Sequence, residues 1–221
     1  MKRHTVAILL FLIMLLALSA CAGSAERPEI VILPEAEGIP DTVVSGIADT
    51  YPESGRITMI SWHDAGQPDI AGKAGRIPLG SGNWDYENIR VNTTGTNQTL
   101  ATYFVTSCAK GSSETLTTEF TRTISSSVKL TAGNAGKPTA AELGISASVT
   151  AKITVSRTFS GPPETSPYNS RQYYIRFTGD TGTWSAQAVW QTNPANRPKI
   201  SGTWLKPTSW AEYSVDRLIT D

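Results

Sequence analysis

The chain has 221 residues, with 19 Lys and Arg against 19 Asp and Glu, for a formal net charge of zero. That balance argues against a nucleic-acid partner, which calls for a strongly basic surface. Two cysteines, Cys21 and Cys108, are too few for a disulfide-stapled scaffold.

The first twenty residues have the three parts of a secretory signal. Lys2, Arg3 and His4 make a basic start, residues 6–18 are an unbroken apolar run, and small Ser19 and Ala20 lead to Cys21. A spanning helix needs about 20 apolar residues, so the run is short for a transmembrane anchor. Leu18-Ser19-Ala20-Cys21 resembles the lipobox of bacterial lipoproteins. That resemblance implies cleavage of residues 1–20 and a diacylglyceryl group on the Cys21 thiol. Two or more acyl chains hold where one is marginal, at about 0.8 kcal/mol per buried CH₂. The expected location is extracytoplasmic, lipid-anchored to the outer face of the cytoplasmic membrane or to the outer membrane. Neither Ala22 nor Gly23 is the acidic residue that often retains such proteins at the inner membrane. Cleavage leaves 221 less 20, or 201 residues, with 17 basic against 19 acidic side chains once Lys2 and Arg3 are gone. Cys108 is then the remaining thiol, expected as a small buried hydrophobe.

Residues 21–55 carry Pro28, Pro34, Pro40 and Pro52 among small and acidic residues. They read as a lipid-anchored tether with a short strand at residues 30–33. Residues 56–221 read as a single β-rich domain. Residues 56–63 and 102–108 are rich in β-branched and aromatic types, as strands are. Turn signals stand at residues 78–83 and 95–97. No helical period of useful length is visible; the best helix candidate is residues 139–143, too short to persist.

The strongest pattern is a pair of alternating segments. In the first, Leu116, Phe120, Ile124, Val128 and Leu130 hold even positions between Ser, Thr, Glu and Lys. In the second, Leu143, Ile145, Val149, Ala151, Ile153, Val155 and Phe159 hold odd positions between Ser, Thr and Lys. Strand side chains alternate faces, so each segment has one apolar and one hydroxyl face. Arg122 and Arg157 interrupt the apolar face once each. The loop between them predicts a long antiparallel hairpin of two arms, each about 15 residues against the usual 5–6. Residues 172–178 and 183–191 read as two more strands around a turn at 179–182. The expected fold is all-β: an antiparallel sandwich or elongated sheet with residues 116–159 as its central hairpin.

That hairpin resembles the insertion hairpin of aerolysin-like β-pore-forming proteins, a β-rich, elongated family whose hairpins from several protomers close into a membrane barrel. The resemblance implies that Phe120, Ile124, Val128, Val149, Ile153 and Val155 face lipid. Lys129, Lys152 and Glu119 then line the lumen, and the protein oligomerises.

No catalytic set emerges. Ser61, His63 and Asp64 are close in sequence, but nothing orders a base between nucleophile and acid. Gly144-Ile145-Ser146-Ala147-Ser148 lacks the final glycine of a nucleophile elbow. Asn83, Asp85 and Glu87 begin a calcium-loop spacing that Asn88 and Thr94 fail to complete. No metal or cofactor is expected. The remaining candidates are aromatic: Trp184, Trp190, Trp204 and Trp210, with Tyr173 and Tyr174, are either core or an exposed platform for a glycan or protein ligand. The leading expectation is a membrane-anchored lipoprotein with a non-catalytic binding or structural domain; the alternative is a pore-former or its derivative.

Overall fold

The computed structural model describes residues 27–65 and 84–220, so the leader, Cys21 and the turn expected at 78–83 lie outside the described residues. The described chain is all-β apart from a 3-10 turn at Pro34–Ala36 and one helix, α1, at Asp41–Thr50. The first strands are β1 (Glu29–Ile32), β2 (Arg56–Asp64) and β3 (Trp84–Ala109). Five short ones follow: β4 (Ser113–Thr115), β5 (Phe120–Ser125), β6 (Ser127–Ala132), β7 (Ser148–Ile153) and β8 (Thr158–Ser160). Two long ones, β9 (Ser170–Trp190) and β10 (Lys199–Arg217), close the domain.

Six strands form one sheet in the order β1-β2-β10-β9-β3, with β6 also paired to β10. β9 covers one edge of β10 from Lys199 to Arg217. The other edge is shared, with β6 along Ser201 to Leu205 and β2 along Ser209 to Val215. Every pairing is antiparallel except β1 with β2.

The long strands are not those the alternation suggests. β3, β9 and β10 run 26, 21 and 19 residues. They absorb both turns expected at residues 95–97 and 179–182. In β3, Asn88 and Asn97 adopt φ of 53° and 52°. Register shifts against β9 surround them. The turn residues thus make β-bulges that bend a continuous strand. In β9 the glycines serve close approach. A Cβ on Gly182 would lie 2.1 Å from the Asn92 carbonyl oxygen and 2.6 Å from the Trp204 indole.

Residues 29–55 are not a free tether. β1 pairs in parallel with β2, and Arg56 Nε meets Glu29 Oε2 at 2.9 Å. Val43 and Ile47, one turn apart on α1, are buried against Ile57, Met59, Ala211, Tyr213 and Val215. The helix is hard to see because Val43, Val44, Gly46 and Ile47 are poor helix formers, and its ten residues are marginal alone. Packing against β2 and β10 supplies what propensity lacks. Ile47→Ala is therefore expected to cost about 2–4 kcal/mol in urea unfolding, whereas a residue on a free tether would cost nothing.

Candidate functional site

The alternating segments do pair, but not as two continuous strands at the centre of the domain. β4 pairs with β8, and β5 with β7, as two separate two-stranded ladders. Residue numbers of the paired positions have the same sum in both ladders, so one register runs through the hairpin. Between the ladders the second arm breaks at residues 154–157. Leu116 N donates to Arg157 O and Ser156 N to Leu116 O, each at 3.0 Å, and Ser156 takes φ 74°. Straightening this break requires no slip of register. Beyond Ser126 the first arm leaves its partner, and β6 joins β10.

The apolar face meets the sheet as the alternation requires. Val149, Ala151, Ile153 and Phe159 are buried, with Leu116, Phe120 and Ile124 beside them, against Cys108, Tyr173, Ile175, Phe177 and Trp210. This is the face of β10 opposite α1, since Trp210 points to the hairpin and Ala211 and Tyr213 to the helix. The hydroxyl face is exposed and forms cross-strand pairs. Thr123 and Thr150 hydroxyls lie 2.9 Å apart, and Thr115 and Thr158 3.1 Å. Lys152 Nζ meets Glu119 Oε2 at 2.6 Å. Of the six expected apolar-face residues, Val128, on β6, is buried in a separate cluster with Trp184 and Trp204, and Val155 is half exposed at the break.

Among the described residues no β-ladder joins β4, β5, β7 or β8 to the six-stranded sheet. The polar ties are few and come from side chains. Tyr173 Oη donates to Ser160 O at 2.7 Å and accepts from Ser160 N at 3.1 Å. Cys108 Sγ donates to Phe159 O at 3.4 Å. Thr106 Oγ1 donates to Glu114 Oε2 at 2.7 Å. Arg157 Nη1 reaches Glu212 Oε2 of β10 at 2.6 Å, while its guanidinium also lies over the Phe159 ring. Glu212 is 1% exposed, and among the described residues its Oε1 has no partner. Sequence reasoning missed Glu212, although Arg157 on an apolar face was a signal that an acid waits opposite.

The aromatic candidates are mostly core. Trp184, Trp204, Trp210 and Tyr173 are buried, and Trp190 and Tyr174 are half-buried. Trp184 and Trp204 fill the cluster around Ala186, Ala188 and Ile200, each indole N–H donating to a carbonyl, Lys129 O or Thr183 O. Tyr174 stacks on Tyr213 at 5.5 Å. They form no exposed platform, because strand alternation turns these rings inward where they close the sheet's layers. Cys108 is buried, and burial pushes its thiol pKa up.

The catalytic candidates do not converge. His63 stacks on Trp210 at 4.0 Å, its pKa lowered by desolvation, and Ser61 lies beside Glu212 in the β2–β10 ladder. Asp85 accepts from Gln191 at 3.1 Å, and Glu87 pairs with Arg197 at 2.8 Å. Among the described residues no group of three His, Cys, Asp or Glu could hold a metal.

Burial raises the Glu212 carboxyl above its ordinary 4.5, with Arg157 pulling the other way. The folded chain thus holds this proton more tightly than the unfolded one. The stability the group contributes is complete below 4.5 and is lost as pH rises through its folded value. Glu212→Gln is expected to remove that step from urea midpoints measured between pH 4 and 8. Arg157→Ala leaves the buried carboxylate without its counter-ion and is expected to cost about 3 kcal/mol at neutral pH, most of it recovered by adding Glu212→Gln.

Comparison with known protein families, with curated proteins and with solved structures found no match.

Proposed function

We propose that this chain is a membrane-anchored extracytoplasmic lipoprotein whose β-rich domain is non-catalytic and works by deploying the hairpin, as a pore-former or a protein derived from one. The lipid on Cys21 anchors it, on the strength of the Leu18–Cys21 lipobox resemblance. The single observation that carries the hairpin reading is the way the amphipathic hairpin is stored. It hangs between β3 and β9, which pair with one another at Ala109 and Ser170. Among the described residues its body, β4, β5, β7 and β8, joins the sheet by no β-ladder and rests on it through side chains, while the first arm runs on into β6, which is laddered to β10. An aromatic binding platform has no such support, because the rings that would form it are inside.

The energetics favour storage in water and release into lipid. Uncovering Val149, Ile153 and Phe159 in water costs about 1.5–3 kcal/mol each, a cost that hydrocarbon removes. Residues 113–125 and 148–160 give 13 residues per arm across the two ladders. A membrane-crossing strand needs about 9–11. Two strands cannot close a barrel, whose smallest forms have about eight, so this reading requires several copies.

Val155 offers a clean test. It is half exposed in the stored hairpin, so charging it leaves the fold intact, but on a straightened arm it faces lipid. A chain beginning at Gly23 is expected to release dye from liposomes. Val155→Lys, with an unchanged circular dichroism spectrum, is expected to lose that release. Cys108 beneath the hairpin should turn reactive toward a thiol reagent on membrane contact. No release and no gain in labelling across lipid compositions would leave the hairpin as fixed structure.

A further inference from the structure

A cleft of about 540 Å³ opens where the loop between β6 and β7 meets the start of β3. Trp84 and Tyr86 form one wall; residues 126–128, 136–140 and Glu142 form the rest. The loop is held locally. Lys137 Nζ donates to Val128 O at 2.6 Å. Thr139 N donates to Glu142 Oε2 at 2.5 Å, and Glu142 N to Thr139 Oγ1 at 3.2 Å. Trp84 is braced by Trp190, the rings tilted by 68° with centroids 4.6 Å apart.

These contacts leave polar capacity unused. Glu142 is nine-tenths buried, and among the described residues its Oε1 has no hydrogen-bond partner. The Tyr86 hydroxyl faces Gly136, where a Cβ would lie 3.0 Å away, and makes no hydrogen bond to a described residue. Lys137 keeps two further donors. A buried carboxylate oxygen left unpaired is costly, so a packed core rarely tolerates one without a role.

The mixture defines the ligand. Lys137 disfavours a cation in the cleft and Glu142 disfavours an anion. What remains is a neutral molecule that both donates and accepts hydrogen bonds and has an apolar face for an indole. We propose that this cleft binds a short neutral saccharide, its ring laid on Trp84 and its hydroxyls held by Tyr86 and Lys137. Gly136 keeps the entrance clear. The site does not depend on the hairpin leaving the sheet.

The full-length chain, in a detergent free of sugar and choline, is titrated with maltose, N-acetylglucosamine and chitobiose by saturation-transfer NMR. Choline chloride and sodium phosphate are titrated alongside. At least one sugar should bind saturably and neither ion should. Trp84→Ala and Gly136→Leu should each weaken binding by about tenfold or more. Gly136→Leu carries the comparison if Trp84→Ala fails to fold, since position 136 is on a loop and only Tyr86 and Trp84 stand before it. Flat titrations with every sugar, binding of choline or phosphate in their place, or a folded Gly136→Leu variant that binds like the parent would overturn the assignment.

Discussion

Main-chain hydrogen bonding along β10 is the constraint on which the rest of the structure depends. One edge of that strand is spent entirely on β9, and the other is divided between β6 and β2. Buried backbone donors and acceptors must be paired, so this division fixes where everything else can go. β2 takes β1 along its outer edge and, with β10, holds α1 on one face. β6, taken out of the hairpin to fill the remaining edge, limits how far the two arms can zip together. The hairpin body is then left to cover the opposite face with side chains only. A sheet completed by ladders and a cover completed by packing are held by different forces, and only the second is weakened by contact with an apolar solvent.

That difference gives the Arg157–Glu212 pair its importance. Apolar contact between hairpin and sheet has no direction and would tolerate sliding. A 2.6 Å ion pair between an arm and β10 has direction and sets the seat of the hairpin. Its energetics are two-sided: the carboxylate is desolvated and half satisfied, so the pair specifies position more than it stabilises. The Tyr173–Ser160 exchange does the same at the hairpin's root with neutral groups.

At the far end of the hairpin the loop is pinned by Lys137 and by the reciprocal Thr139–Glu142 bonds, and in the cleft beside it Glu142 Oε1 has no partner among the described residues. The molecule thus has a seated, apolar-faced hairpin with an open polar cleft at its tip.

Alternation at period two was enough to identify β structure, to place Phe120, Ile124, Val149 and Ile153 on one face, and to assign Ser and Thr to the other, because strand geometry turns parity directly into facing. Three matters needed the tertiary structure. α1 exists because β2 and β10 offer Val43 and Ile47 a surface, and short helices of β-branched residues are set by packing and not by propensity. The glycines and asparagines of residues 95–97 and 179–182 make bulges and close contacts instead of turns, since the same residues serve both and only the neighbouring strand decides between them. The burial of Trp184, Trp204 and Trp210 was equally undetermined, because a ring on one face of a strand is core or platform according to whether another layer covers that face. Sequence parity says which residues share a side; which side is covered depends on contacts between segments far apart in the chain.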